Sequence, residues 1–301
     1  MASNKSGSKK KHAWQWQEVS KNYCKFIVPN RPSQGDCDNY GQLIAKTLKG
    51  KKSPKIMVMG STPELRSILL QYEILNKAEV YCVDLNYEMY QAMTDFMARS
   101  DKFREKYVKA SWLETKMPDK YFDLVVGDEV ICNIDNKMHH DLFKEVSRVL
   151  KKNGVWITRS NAYLPKNKKD TVHDILLDLA ENIDKGRYSL HFAVNLLYIK
   201  MFYRADEVNH NPDNTMLEHY ELARKEYNKS FKNHKYGKLI PALLSVYKDN
   251  FVALVGDYHW YLISEKETEE ELKPYFKVEN KVYANDYCTV ENSPIYLLKK
   301  K

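Results

Sequence analysis

Apolar positions along the chain change period several times, and the changes mark out its elements. KIMVM at 55–59 is a continuous apolar run, as a strand buried on both faces should be. Over 63–76, Leu65, Ile68, Leu69, Tyr72 and Leu75 recur at helical spacing on one face. AEVYCVDL then reads as a strand, and 87–99, carrying Met89, Met93, Phe96 and Met97, as a helix. KYVKASWLE is a short third strand segment and FDLVVGDE a fourth. Helix 137–151 sets Leu142, Val146, Val149 and Leu150 on its apolar side. It ends in Lys-Lys-Asn-Gly, cations in the last turn before a glycine stop. GVWITR at 154–159 is the fifth strand. Strand–helix units of this length predict a parallel sheet with right-handed crossovers.

After Arg159 the rhythm breaks. TVHDILLDLAENI, SLHFAVNLLYIKMFY, NTMLEHYELARKEYNKSF and KLIPALLSVYKDN are helical in pattern, which predicts a helical insertion over 170–248. A β signal returns in YHWYLIS, followed by a helix TEEELKPYF and two strands, KVENKVYAN and SPIYLLKK, that would close the sheet. No internal repeat is visible.

Composition narrows the class without naming it. With 43% apolar and 29% charged residues, ten Gly and ten Pro, the chain is an ordinary globular one. The opening MASNKSGSKKKH is polar and basic, lacks a secretory apolar region and reads as a flexible tail. HFAVNLLYIKMFY, interrupted by Asn195 and Lys200, is too short to span a bilayer, so no membrane partner is expected. Five scattered cysteines without a C-x-x-C pair predict reduced thiols, a cytoplasmic setting and no metal. Net charge is +8, with basic clusters KGKKSPK at 49–55, KNKK at 166–169 and a final KKK. Such clusters suit a polyanion or a solvated surface, and the acidic run EKETEEE at 265–271 is a counterweight.

In an open parallel sheet, ligands bind beyond the carboxyl ends of the strands. Those ends carry Gly60-Ser61-Thr62, Asp84, Ser111-Trp112, Gly127-Asp128-Glu129 and Arg159. Asp84 lies about twenty residues beyond the glycine turn, where a carboxylate can accept from both hydroxyls of a ribose. It can also cap the helix that begins near Asn86. Ser61-Thr62-Pro63-Glu64 reads as a capping box, with Ser61 occupying one free N–H and Glu64 reaching back. Pro63 removes another N–H, and no Walker lysine is present. A turn so capped, with a carboxylate in its first turn, disfavours pyrophosphate and tolerates a cationic ligand without phosphate. S-adenosylmethionine has those properties.

Residues 55–159 resemble a class I S-adenosylmethionine-dependent methyltransferase. KIMVMGSTPEL, VYCVDLNYEMYQAM, KASWLETKMPDKYFDLVVGDEVICNI and LFKEVSRVLKKNGVWITR follow its successive motifs in order and spacing. The G-x-T-P-E-L turn, the S-W and the G-D resemble a less common bacterial-type branch. The resemblance implies an α/β, Rossmann-like, seven-stranded mostly parallel sheet with helices on both faces and a helical insertion after the fifth strand. It implies a tail and helical arm over the cofactor at 1–50, a cofactor-binding core at 51–160, a helical substrate cap at 161–257 and a sheet-completing part at 258–301.

The cofactor implied is S-adenosylmethionine. Gly60, with Ser61, Thr62 and Glu64, would border its methionine part, and Asp84 would hold the ribose. Leu85, Met89, Ser111 and Trp112 would lie about the adenine, Trp112 offering a stacking face. Asp128 and Glu129 would line the border between cofactor and acceptor. Val58 stands where the family usually carries an acid, and Thr62 and Glu64 where it carries further glycines. Glu64 would supply part of the missing negative charge. Ahead of the sheet, W-x-W at 14–16, Tyr23, R-P-S at 31–33 and D-N-Y at 38–40 would fold over the cofactor or dock an arm on the core. Arg31 or Tyr40 could meet its carboxylate.

Methyl transfer is an in-line displacement, so the protein positions, desolvates and sometimes deprotonates the acceptor. Asp128, Glu129, His139, His140 and His191 are candidate bases, although the His-His pair at a helix start suits a solvated surface. Arg159 would suit an acidic acceptor or the cofactor carboxylate. Tyr188, Phe192, Tyr198, Phe202 and Tyr203 lie in the insertion as core or as a cage for a cation.

Three readings stay open. The first is a methyltransferase with a small-molecule acceptor. The second attacks the aminocarboxypropyl arm of the same cofactor, as a lyase, cyclase or aminocarboxypropyl transferase. The third is a nucleic-acid methyltransferase or binder, suggested by the basic clusters. Oligomeric state is left open.

Overall fold

A computed structural model describes residues 19–97, 104–164, 170–203, 215–255 and 260–301. The chain forms two compact units. A sheet unit contains Pro32–Asn161 and Glu265–Lys301, and a helical unit contains Lys21–Arg31 and Ala162–Ser264. Residues 21–31, read in sequence as one arm with the next segment, thus group with the insertion. The W-x-W and the KNKK cluster lie outside the described residues.

The sheet unit holds seven strands in the order β3-β2-β1-β4-β5-β7-β6. They are β1 (Lys55–Met59), β2 (Glu79–Asp84), β3 (Lys106–Lys109), β4 (Phe122–Asp128), β5 (Leu150–Arg159), β6 (Phe276–Val282) and β7 (Ile295–Lys300). The first five are parallel, and β7 runs antiparallel to both β5 and β6. Its helices ahead of β5 are α1 (Gln34–Leu48), α2 (Pro63–Asn76), α3 (Tyr87–Asp95) and α4 (His139–Val149).

Alternation along the buried strands supplies two cores. Ile56, Val58, Leu124, Val126 and Ile157 pack with Leu43 and Ile44 of α1 and Leu65 and Leu69 of α2. Met57, Met59, Val125 and Trp156 turn the other way, toward Leu142, Phe143, Val146 and Val149 of α4. Helices therefore cover both faces, as the continuous apolar strands require.

Boundaries differ from the sequence pattern at two helices: α3, expected over 87–99, ends at Asp95, and α4, expected over 137–151, runs from His139 to Val149. Helix α4 ends at Val149, and Leu150 is an extended residue that opens β5. Phe122 faces Leu150 while Leu124 faces Val155, so residues 151–154 bulge from the ladder. Gly154 serves that bulge rather than a helix stop. A β-carbon there would lie 2.8 Å from Leu150 Cδ2 and 3.0 Å from the Lys151 carbonyl oxygen.

The helical unit contains α5 (Val172–Asp184), α6 (Leu190–Tyr203), α7 (Met216–Glu226) and α8 (Leu239–Tyr247). Thr171 with Asp174 and Thr215 with Glu218 form capping boxes at α5 and α7. The strand expected at YHWYLIS is not found among its described residues. Residues 260–264 make only an isolated bridge, between Ser264 and Tyr163. Their apolar pattern reflects packing on helices: Trp260 lies 5.2 Å from the Tyr198 ring and 5.6 Å from Phe202. Beyond them, α9 (Glu265–Leu272) returns the chain to the sheet unit.

Candidate active site

Strands β1 and β2 are in register, with Met59 opposite Val83, so the residues just past each strand lie side by side. Gly60 adopts φ +85°, in the left-handed region, and its N–H donates to the Val83 carbonyl at 3.0 Å. A β-carbon on Gly60 would come within 3.1 Å of Trp112 Cζ2. Glycine thus answers both the backbone conformation and the close approach. The Trp112 indole N–H donates to the same Val83 carbonyl at 2.9 Å, which holds the ring over the turn.

The expected capping box at Ser61 does not form. Thr62 is the N-cap of α2 and makes no side-chain cap bond, with Pro63 opening the helix. The Ser61 hydroxyl instead donates to Asp84 Oδ2 at 2.8 Å. Register explains the difference, because it brings a carboxylate beside Ser61, and donating to a charged acceptor is stronger than the neutral bond in which Ser61 Oγ would accept a backbone N–H. Asp84 Oδ1 accepts the Asn86 N–H at 2.9 Å. Asn86, rather than Asp84, caps α3 by accepting the Met89 N–H at 2.9 Å. Burial raises the Asp84 carboxyl above the usual range, opposed by the hydrogen bonds from Asn86, Ser61 and Leu85. Leu85 is exposed and Met89 is buried, while Ser111 Oγ accepts the Leu113 N–H at 3.2 Å.

A second cluster forms where β4 and β5 end. Arg159 is fully buried and faces three carboxylates. Its Nε and Nη2 donate to Asp128 Oδ1 and Oδ2 at 2.8 and 2.9 Å, a bidentate pair. Nη1 reaches Asp36 Oδ2 at 3.3 Å, and Nη2 lies 3.1 Å from Glu129 Oε1. Asn161 Nδ2 also donates to Glu129 Oε1, at 2.6 Å, and Ser293 Oγ donates to Asn161 Oδ1 at 2.5 Å. Burial pushes the Glu129 carboxyl up to about 8, against the attraction of Arg159 and with the repulsion of Asp128. Burial likewise raises Asp36.

Glu129 also has φ +55°, a conformation rare for a residue with a side chain. Its N–H donates to the Arg159 carbonyl at 2.9 Å, and its carbonyl accepts from Asn133 Nδ2 at 2.7 Å. Both ends of the strained residue are therefore tied down.

Tyr40 is fully buried in α1. Its hydroxyl donates to the Gly127 carbonyl at 2.8 Å and accepts the Arg159 N–H at 2.7 Å. It wedges between the ends of β4 and β5, so its polar atom is already taken within the sheet unit. In the helical unit, the Arg31 guanidinium lies 4.6 Å from the Tyr23 ring centroid.

The adjacent histidines separate. His140 is exposed, whereas His139 is fully buried, not solvated, with Nδ1 2.6 Å from Glu271 Oε2 and Nε2 3.1 Å from two carbonyl oxygens. It ties α4 to α9 and to the turn after β4. Among the insertion aromatics, Tyr198, Phe202 and Tyr203 are buried core, and Tyr188 and Phe192 form an edge-to-face pair at 5.1 Å. Asp36 and Asn161 were not singled out by sequence reasoning. The S-x-x-D signature at Ser33–Asp36 marks a helix start, and both capping bonds form, but nothing in that motif foretells the contact with Arg159.

Among the described residues, no group of three or more His, Cys, Asp or Glu side chains is arranged to hold a metal ion. No described helix is long and apolar enough to cross a membrane.

Residues 60–158 match the family model described as a methyltransferase domain. No curated protein matches the sequence. Among solved structures, the N-methyltransferase NodS from Bradyrhizobium japonicum, crystallised with S-adenosyl-L-homocysteine, is similar over 95% of this chain and 98% of its own. Its TM-score is 0.50 at 8% identity. The CurJ carbon methyltransferase is similar over 94% of this chain and 61% of its own, with TM-score 0.52 and 8% identity. A putative zinc-dependent alcohol dehydrogenase from Rhodobacter sphaeroides reaches TM-score 0.52 at 12% identity over 97% and 98%. At such identities the likeness shows the fold, the α/β Rossmann-like sheet, and chemistry rests on the domain match. That match makes the protein an enzyme, a methyltransferase, and its cofactor S-adenosylmethionine.

The residues present suit that cofactor. Asp84 is an acceptor held by Ser61 and by the Asn86 and Leu85 N–H groups, and these hydrogen bonds still leave its oxygens acceptor capacity toward a ribose. Gly60 gives close backbone approach, and the turn supplies Pro63 and Glu64 where a phosphate site would need free N–H groups and no acid.

Proposed function

We propose that this methyltransferase acts on a small-molecule acceptor. The observation that carries the cofactor half of the reading is the Gly60 turn locked beside Asp84, inside the residues that match the methyltransferase domain. The small-molecule half is supported more indirectly: NodS and CurJ, an N- and a carbon methyltransferase, share the fold. The long helical segment inserted after β5 is our candidate for selecting the acceptor.

When bound, S-adenosylmethionine supplies an electrophilic methyl group. The chain's own residues do the rest. Asp84 would accept from the ribose hydroxyls, and Gly60 would let the backbone approach the methionine arm. Leu85, Met89, Ser111 and Trp112 would lie about the adenine. Thr62 and Glu64 would border the arm, Glu64 supplying negative charge for the ammonium.

Arg159 acts as a positioning residue. Its donors hold Asp128, Asp36 and Glu129 rather than an acidic acceptor, and Tyr40 fixes the strand ends from which they project. Of the two acids after β4, Glu129 is the better proton acceptor. Both Asp128 oxygens are engaged by the bidentate pair, while the Glu129 carboxyl, pushed up to about 8, titrates near neutral pH.

The test is incubation with S-adenosylmethionine alone and with a metabolite extract, read by mass spectrometry. A methylated product with S-adenosylhomocysteine supports the proposal. Methylthioadenosine would instead mean attack on the aminocarboxypropyl arm, and absence of both binding and turnover would remove the reading.

A further inference from the structure

The edge of the sheet opposite the candidate site gathers lysines that are far apart in sequence. Lys55 opens β1, and the loop before it carries Lys49, Lys51 and Lys52. Lys51 and Lys151 both bind Asp123, at 3.0 and 2.7 Å, which joins that loop to the bulge of β5. The antiparallel course of β7 delivers the chain's last lysines to the same edge, Lys300 Nζ donating to the Leu150 carbonyl at 2.8 Å. Lys120, just before β4, is close enough to Lys300 to lower its pKa alongside burial.

The acids at this edge are engaged: Asp123 by two lysines, Glu79 by Lys55 and Lys106, Asp119 by Arg148, and Glu279, whose charge also acts on Lys299, by Lys277. Lys49, Lys52, Lys120, Lys152 and Lys299 are exposed, and among the described residues no carboxylate lies within ion-pair distance of them. Like charges held together in this way call for an anionic partner.

Apolar residues project at the same place. Ile74 and Leu75, in the last turn of α2, are 55% and 77% exposed. The Asn76 carbonyl that follows them accepts the Ser53 N–H at 3.0 Å, so they adjoin the lysine loop. A nucleic-acid backbone would use the lysines but has no use for two protruding aliphatic side chains. An anionic bilayer surface uses both, attracting the lysines and taking the apolar pair into its interface. The geometry points to this edge as a peripheral docking face for membranes rich in anionic lipid. Docking there would leave the carboxyl ends of the parallel strands on the far edge uncovered.

The test is cosedimentation of the full chain with vesicles of phosphatidylcholine alone or mixed with phosphatidylserine, beside a single-stranded RNA binding assay. The expected result is binding to the mixed vesicles only, weakening as salt rises. Charge reversal at Lys49, Lys52, Lys152 and Lys299 should lower affinity roughly a hundredfold or more, although the basic N-terminal tail is intact. Ile74→Ser with Leu75→Ser should weaken binding about tenfold and leave its salt dependence unchanged. Equal binding to both vesicles, no binding, or full binding by the charge-reversed variant overturns the proposal. Binding to RNA without binding to anionic vesicles overturns it in favour of a nucleic-acid surface.

Discussion

Arg159 holds Asp128 through two hydrogen bonds of 2.8 and 2.9 Å, with neither the guanidinium nor the carboxylate free to turn. The pair joins the last residues of β4 and β5, which are also register partners. Ladder and side chains therefore agree about where the strand ends lie, and the acids after β4 project from a rigid edge.

Removing the cation should be costly. In Arg159→Met, Asp128, Asp36 and Glu129 would remain buried together without their common partner, a destabilisation of about 3–5 kcal/mol by precedent for broken buried pairs. Arg159→Lys should recover little, because one ammonium cannot reproduce a bidentate fork to Asp128 together with the contacts to Asp36 and Glu129. Chemical denaturation of the two variants checks this. Equal stability of the lysine variant and the parent would contradict it.

The bond from Ser61 to Asp84 predicts a graded pair of effects. Asp84→Ala should lower S-adenosylmethionine affinity at least about a hundredfold, since it removes a charged acceptor for two hydroxyls. Ser61→Ala leaves the acceptor but frees its orientation, and a loss of roughly three- to tenfold is expected. Calorimetric titration separates the two. Unchanged affinity in Asp84→Ala would refute the ribose role.

That pair also shows how far the sequence carries. Strand and helix bounds at β1, α2 and β2 follow from apolar period and start signals, because those depend on neighbours a few residues away. Ser61 itself was legible as a residue of interest, but its partner was not. The local S-T-P-E pattern favours a capping box, and only the register of β1 on β2 brings Asp84 beside it. Asp36 and Asn161 escaped notice for the same reason, since their roles arise from contacts with residues more than thirty positions away. The YHWYLIS segment misled differently. Alternating apolar residues look alike whether they face a sheet or, as with Trp260, a layer of helices.

Two glycines should respond oppositely to the same change. Gly60→Ala places a side chain at φ +85° and within 3.1 Å of Trp112, so a loss of about 1–2 kcal/mol and weaker cofactor binding are expected. Gly41 lies inside α1, where a β-carbon would meet nothing within 4 Å. Gly41→Ala should therefore stabilise by about 0.5–1 kcal/mol with cofactor affinity unchanged. Thermal melts with and without S-adenosylmethionine check both.

Glu129 predicts a pH dependence whose sign can be worked out. Unfolded, the carboxyl ionises near its ordinary value, whereas in the folded protein it stays protonated until about pH 8. Between those values unfolding releases a proton, so stability is lost as pH rises, by at most about 1.4 kcal/mol per pH unit from this group. Glu129→Gln should flatten that slope: it should change stability little only below the ordinary carboxyl value, where the parent side chain is neutral folded and unfolded, and should be the more stable protein as pH rises from there toward 8. Activity should move the other way in the parent. If Glu129 accepts the acceptor's proton, turnover rises with pH through an inflection near 8, and the glutamine variant loses both the inflection and most of the rate. A variant that lost the stability slope but kept the pH–rate profile would leave Glu129 a buried structural acid and shift the proton-accepting role to another group.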